Sequence, residues 1–197
     1  MMRGRFMRAS WCAIALTLTA CGGPRLAMRD AAVTTLTAPP EGRARIVLVA
    51  PSWQRDVVSL VDERGRYLGQ LGARTWTTLD VAPGPHRFYA LVGADAYVVE
   101  GPVEAGRTYW IVAEHDVLRG MRWIAWEPRC GPEEASRLSD ARAIEVDPAA
   151  DEAAVRHRLG DIPQRILEAD RELEAMPDVD RALRHLVAAC PPAAVAP

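Results

Sequence analysis

The chain has 197 residues, 49% of them hydrophobic, which is enough for one folded domain and a small extension. Its 26 acidic residues outnumber the 24 basic ones, so the formal net charge is −2. This balance argues against a nucleic-acid partner, because proteins that bind a polyanion rely on a basic surface. All the basic residues are arginine and none is lysine, a bias that also fits the Ala-, Gly-, Pro- and Val-rich composition of a GC-rich genome.

The N-terminal segment has the layout of a secretory signal. Arg3, Arg5 and Arg8 precede an apolar run over residues 9–18, and small residues follow it. The apolar run is about half the ~20 residues that a membrane-spanning helix needs. The sequence therefore predicts a signal peptide over residues 1–20.

The junction after this segment resembles the lipobox of bacterial lipoproteins, because Leu18, Thr19 and Ala20 directly precede Cys21. The resemblance implies cleavage before Cys21, diacylation of its thiol and acylation of the new N-terminus, which makes a membrane the first predicted partner. Gly22 stands where an aspartate would retain the protein at the inner membrane, so the expected location is the outer membrane. Removing residues 1–20 leaves 21 basic and 26 acidic residues.

Residues 21–42 are rich in Ala, Thr, Pro and Gly and show little apolar periodicity. This composition predicts a lipidated, flexible tether between the membrane and the folded part of the chain.

Residues 43–128 consist of short β-branched and aromatic runs separated by turn residues. The spacing of the turns, roughly every ten residues, predicts an antiparallel β-sandwich. Predicted turns lie at residues 62–65, where Gly65 takes a positive φ, at residues 83–85 and at residues 104–106. The predicted strands cover residues 44–50, 57–62, 67–71, 75–81, 86–92, 97–103, 108–114 and 122–126.

The pattern changes after Pro128, and residues 129–190 are predicted as a helical extension. Within it, residues 143–146 fit either one more strand or an extended link. From Pro148 onward apolar residues recur at helical spacing and form one stripe. Asp161, followed by Pro163 in the first turn, is a predicted N-cap at which the helix breaks, and Pro177 marks another interruption. After Pro177 the stripe is predicted to continue through Val179, Leu183, Leu186 and Cys190. The stripe either packs on the protein's own sheet or forms a coiled-coil surface for a partner. Residues 191–197 are predicted to be disordered from their composition.

Two cysteines remain outside the signal and the lipid site. An exported compartment is oxidising, so Cys130 and Cys190 are a candidate disulfide, and two buried thiols are the alternative. Neither cysteine has a partner at zinc-ligand spacing, so no metal site is predicted.

Four segments of the strand region are similar to an uncharacterised family of bacterial lipoprotein domains. They are residues 44–51 (ARIVLVAP), 61–71 (VDERGRYLGQL), 81–86 (VAPGPH) and 103–110 (VEAGRTYW). The middle part also resembles PEGA-type repeats. The resemblance implies a small β-sandwich of the prealbumin or immunoglobulin-like type with a role at the cell envelope, and it implies no enzymatic residues.

The chemistry-bearing residues point to binding more than to catalysis. His86 lies in a turn, where an imidazole caps backbone groups, and the His115–Asp116 pair is the best candidate for metal or acid–base work. Strand neighbours point to opposite faces, however, so that pair is poorly arranged to act together. Aromatic side chains can contact a ligand or pack in the core. The candidates for ligand contact are Trp53, Tyr97, Trp110 and Trp126.

No cofactor-binding motif and no catalytic set is recognised, so the sequence predicts a non-catalytic envelope lipoprotein, not an enzyme. Peptidoglycan or another envelope protein is its expected partner. The alternatives are an envelope hydrolase whose acidic or His/Asp site forms only in three dimensions, and an assembly subunit that associates through its C-terminal helices.

Overall fold

The computed structural model describes residues 27–51, 56–116, 120–126, 138 and 140–187. These residues form ten strands and three helices. The strands are β1 (Met28–Asp30), β2 (Ala44–Ala50), β3 (Val58–Asp62), β4 (Tyr67–Leu71), β5 (Thr75–Val81), β6 (Gly84–Val92), β7 (Asp95–Val103), β8 (Thr108–Asp116), β9 (Gly120–Trp126) and β10 (Arg142–Val146). The helices are α1 (Glu152–Leu159), α2 (Ile162–Ala175) and α3 (Asp178–Ala182).

The strands form two sheets that face each other. One has the order β1-β10-β5-β2-β8-β9 and the other β4-β3-β6-β7. Most neighbouring strands are antiparallel, whereas β2 with β8 and β10 with β5 are parallel. The predicted fold class, a mainly β sandwich followed by helices, is confirmed, and all eight predicted strands are present with ends shifted by at most two residues.

The core lies between the sheets, and alternation along each strand explains how it is filled. In β2, Ile46 and Leu48 point inward, and Val47 and Val49 point to the opposite face of the six-stranded sheet. All seven residues of β2 are buried because that outer face is also covered. Trp123 of β9 is fully buried in the inner core.

The helices cover the outer face of the four-stranded sheet. Asp161 caps α2 by accepting a hydrogen bond from the backbone N–H of Gln164, as the sequence predicts. The predicted apolar stripe therefore packs on the protein's own sheet. Of its residues, Val155, Leu159, Ile162 and Leu173 are buried, and together with Ala169 they pack against Val61, Tyr89, Leu91, Ala96 and Val98. Burial of a side chain such as Leu173 contributes about 2 kcal/mol to holding this layer in place.

The predicted helical continuation beyond Pro177 is wrong past Ala182, where α3 ends. The next segment, residues 183–186, runs between the edge strands of the two sheets. Glu100 of β7 donates its backbone N–H to Arg184 O and accepts from Leu186 N, both at 2.8 Å, and Ala125 of β9 donates to Leu183 O. An edge strand offers unpaired backbone groups, and pairing with them outweighs the helical pattern of this short segment. Gly101 permits the approach, since a Cβ there would lie 3.0 Å from Leu186 N.

The sheets include two strands outside the segment that was predicted to form the sandwich. Met28–Asp30, expected in the tether, forms β1 and pairs with β10, which itself lies within the expected helical extension. The question left open for residues 143–146 is thus answered in favour of a strand. The physical reason is that Met28 is buried beside Gly69, so this edge of the sandwich needs β1 to cover it.

The first residue of β6 is a glycine in a conformation that other residues rarely adopt. Gly84 has a φ of +132°, in a region that L residues with a side chain rarely adopt, and a Cβ would have open space around it. We expect Gly84→Val to lower the free energy of unfolding by about 1–3 kcal/mol through backbone strain alone. Thermal or urea unfolding measures the change. Gly72→Val is the matched control, because Gly72 also has open space but no positive φ; equal losses in the two variants would contradict the account.

Candidate functional site

Two adjoining clefts lie at the same end of the sandwich, which we call the cleft end. The first, of about 500 Å³, is bounded by the β3–β4 turn, the C-terminal end of β5 and the start of β6. The second, of about 470 Å³, lies over β6 and β7 beside His185. Glu63 and His86 line both clefts, so they form the wall between them.

Arginine–carboxylate pairs hold the strands around the first cleft. The guanidinium of Arg45 donates to both carboxylate oxygens of Asp80, over 2.7 and 2.8 Å, and to the carbonyl and hydroxyl oxygens of Thr37. Asp62 accepts the backbone N–H groups of Arg64 and Arg66 and the Nε of Arg66. Both carboxylates therefore help to fix strand and turn geometry.

His86 has a structural task in the wall between the clefts. Its Nε2 lies 2.8 Å from the carbonyl oxygen of Ala82, and because a carbonyl only accepts, Nε2 donates. The ring also stacks on Phe88, with centroids 5.8 Å apart. The sequence-based interpretation of His86 as a turn cap is confirmed.

A charged network forms one side of the second cleft. Arg87 lies 2.8 Å from Glu100 and 3.3 Å from Asp170 of α2, and Arg181 lies 3.4 Å from Glu100. Tyr89 donates its hydroxyl hydrogen to Asp170 over 2.9 Å. Burial raises the pKa of Tyr89, and the hydrogen bond to Asp170 raises it further. This network ties α2 and the segment around Arg181 to the four-stranded sheet.

Arg184 is the most buried arginine of the C-terminal segment. Its Nη1 donates to the carbonyl oxygen of Trp123, and burial, followed by the nearby charge of Arg122, lowers the pKa of its guanidinium. A buried cation that donates to a backbone carbonyl of β9 strengthens the link between residues 183–186 and that strand.

The two predicted ligand-contact aromatics whose side chains the structure describes, Tyr97 and Trp110, do not line the clefts. Trp110 is only 5% exposed and packs with Val47 and Trp76 on the outer face of the six-stranded sheet. Tyr97 is half-buried and lies beside α2 and Arg184. Trp53 lies outside the described residues; Trp126 belongs to β9, but its side chain is not described.

The remaining predicted site residues are placed only in part. His115 and Asp116 lie at the end of β8, and their side chains are outside the described set. Cys21, Cys130 and Cys190 lie outside the described residues altogether. Within the part of the chain that the structure describes, no three His, Cys, Asp or Glu side chains are grouped so that they could hold a metal ion.

Sequence reasoning missed the residues that shape the clefts, above all Arg45, Glu100 and Asp170. Their partners are remote: Arg45 and Asp80 are 35 positions apart, and Tyr89 and Asp170 are 81 apart. The single local signal was an arginine inside an otherwise apolar strand, which indicates a buried ion pair at Arg45.

None of the described helices is both long and apolar enough to cross a bilayer.

Comparison with known proteins gives no family for this chain. No family model matches the chain, and no curated protein is similar to it in sequence.

Proposed function

We propose that this protein is a lipid-anchored lipoprotein of the bacterial envelope, held in the outer membrane, whose β-sandwich acts as a non-catalytic interaction module. One observation carries the proposal: a lipobox-like junction at Cys21 is followed after seven residues by the first strand of a folded sandwich. We place the sandwich in the prealbumin or immunoglobulin-like class and in the uncharacterised lipoprotein family that it resembles. Its partner is peptidoglycan or another envelope protein.

The hydrogen bonds and ion pairs of three carboxylates at the cleft end support a non-catalytic role. Asp80 and Glu100 each contact an arginine at 2.8 Å or closer, and Asp62 accepts three hydrogen bonds. A general acid or base needs a side chain that can exchange its proton with a substrate. These carboxylates instead hold strands and turns together, which suits a rigid binding surface.

Lipidation is tested by substitution of the acceptor. We expect Cys21→Ser to abolish incorporation of a labelled fatty acid and to move the protein from the membrane fraction to the soluble fraction, because the serine hydroxyl cannot form the thioether. Cys12→Ser is the matched control, since this cysteine lies within the predicted signal peptide, and it retains the label. A labelled, membrane-bound Cys21→Ser protein would contradict the anchor.

The interaction role is tested with the lipidated full-length protein. Co-sedimentation with isolated peptidoglycan examines the first partner. For the second, a photo-reactive residue is placed in intact cells at Arg64 of the cleft end and at Ala94 of the β6–β7 turn, both exposed. We expect retention on peptidoglycan or a discrete cross-linked envelope protein from one position. The proposal would be overturned if the protein were not retained on peptidoglycan and neither position gave a cross-link.

A further inference from the structure

Strand β5 has a neighbouring strand on both sides for only part of its length. On one side, β2 pairs with every residue of β5. On the other side, the ladder with β10 ends at the Ala143–Trp76 pair. Among the described strands, none therefore pairs with the rest of β5 on the side away from β2.

The hydrogen bonds of β2 show which backbone groups β5 presents on that side. Arg45 donates its N–H to the carbonyl oxygen of Arg107, the residue before β8, so the backbone of Arg45 points toward β8 and away from β5. Asp80 lies opposite Arg45, and Thr78 lies opposite the next β2 residue of the same alternation. Bonded and non-bonded pairs alternate in an antiparallel ladder, so Asp80 and Thr78 direct their N–H and carbonyl groups away from β2.

Residues 78–80 thus form an open edge, and this edge lies in the first cleft. Thr78, Leu79 and Asp80 line the cleft from one sheet, and Leu68 of β4 lines it from the other. Leu68 and Leu79 are half-buried and pack against the core, so the cleft has an apolar floor. Its volume of about 500 Å³ lies within the ~300–1,000 Å³ that is typical of ligand sites.

The charged side chains of the first cleft favour an acidic ligand. The ionisable residues that line it are Arg43, Asp62, Glu63, Arg64, Arg66, Asp80 and His86. Two of the three carboxylates already pair with arginines, one with Arg66 and the other with Arg45 of the neighbouring strand. The guanidiniums of Arg43 and Arg64 remain, together with the single carboxylate of Glu63. This excess of one positive charge complements a carboxylate.

We propose that the first cleft binds an extended peptide of L residues, which adds to the open edge of β5 as a further strand and brings a carboxylate to Arg43 and Arg64. In this mode backbone hydrogen bonds supply affinity, and alternate side chains of the peptide contact the apolar floor. The carboxylate is either the C-terminus of the peptide or an acidic side chain.

This binding mode rests on the proposed interaction role of the sandwich, and it makes an envelope protein the partner. A peptidoglycan stem peptide suits the open edge poorly. It alternates L and D residues and contains a γ-linked glutamate, so its backbone groups do not repeat at the spacing of a strand.

The ligand side is tested with lipidated full-length protein in detergent micelles and a library of fluorescein-labelled random octapeptides of L residues with free C-termini. Peptides that bind are resynthesised, and fluorescence anisotropy gives their dissociation constants. We expect N-methylation at alternate backbone nitrogens to weaken binding about tenfold, because each methyl group removes a hydrogen bond to the edge. N-methylation at the nitrogens between them should have little effect.

Two further peptides identify the carboxylate. Weaker binding after amidation of the C-terminus assigns the terminal carboxylate, and weaker binding after replacement of an acidic side chain by its amide assigns that side chain. Unchanged binding of both peptides would overturn the role of the arginines.

The protein side is tested with variants of the cleft. Thr78→Pro removes an N–H that points away from β2, a position at which a strand tolerates proline, so the variant should fold and bind about tenfold more weakly. Arg64→Ser should weaken binding about threefold through the lost charge. Arg158→Ser is the matched control, because this exposed arginine of α1 does not line the cleft, and it should bind as the unchanged protein does.

The outcomes separate this site from the proposed function. The site would be overturned if no library peptide bound, or if neither N-methylation nor Thr78→Pro weakened binding; the proposed function would stand if the same protein were still retained on peptidoglycan or cross-linked in cells. Displacement of the bound octapeptide by a soluble stem tripeptide at equal concentration would overturn the class of partner.

Discussion

Replacing Trp123 with alanine is expected to lower the free energy of unfolding by about 3–5 kcal/mol, the cost of deleting a large aromatic side chain from a packed core. Trp123 is fully buried in β9, within the core between the two sheets. Its backbone carbonyl also receives the guanidinium of Arg184, so the same strand holds the C-terminal segment. Chemical unfolding followed by circular dichroism gives the free energy.

Two matched variants make this expectation specific. Trp123→Phe keeps most of the apolar volume and removes an Nε1–H that has no hydrogen-bond partner among the described residues, so it should cost only about 1 kcal/mol. Val179→Ala, at a side chain that is 74% exposed, should change stability by less than about 0.5 kcal/mol. A Trp123→Ala protein as stable as the Val179→Ala protein would contradict the assigned core.

Cys130 and Cys190 are expected to form a disulfide, and reducing it is expected to destabilise the protein by up to ~4 kcal/mol, because the bond closes a loop of about 60 residues. The structure brings the chain segments that lead to both cysteines together: Ala125 donates its N–H to Leu183 O over 2.9 Å. Cys130 follows Ala125 by five residues and Cys190 follows Leu183 by seven, and these lengths of chain are sufficient to let the two thiols meet.

Alkylation of unreduced, denatured protein followed by mass measurement tests the bond. We expect no modification before reduction and two modified thiols after it, and the unfolding midpoint should then drop to that of the Cys130→Ser/Cys190→Ser variant. Two alkylated thiols without reduction would mean that packing and hydrogen bonds alone hold the C-terminal segment.

Local chemistry made most of the sandwich predictable from the sequence. Short apolar runs and regularly spaced turns mark the eight strands from β2 to β9, and the turn residues act over only a few positions. Gly65 has the expected positive φ of +71°, and His86 caps the carbonyl four residues before it. Asp161 likewise caps the helix that follows it.

The features that the sequence could not provide depend on distant partners. β1 has only three residues, too few for a period, and it exists because β10 pairs with it 116 positions away. The segment 183–186 carries a helical pattern, yet it forms a turn and a bridge at His185, because its backbone hydrogen-bonds to Glu100. The clefts arise in the same way, since Asp80 and Arg45 meet only after β2 and β5 pair.

The mass of the N-terminal peptide of the protein, purified from bacterial membranes, tests the central claim most directly. The account predicts a mature chain that begins at Cys21, with residues 1–20 removed and the mass of a diacylglycerol and a further acyl chain added to the cysteine. A peptide that begins elsewhere, or an unmodified Cys21 thiol in the membrane-derived protein, would contradict the account.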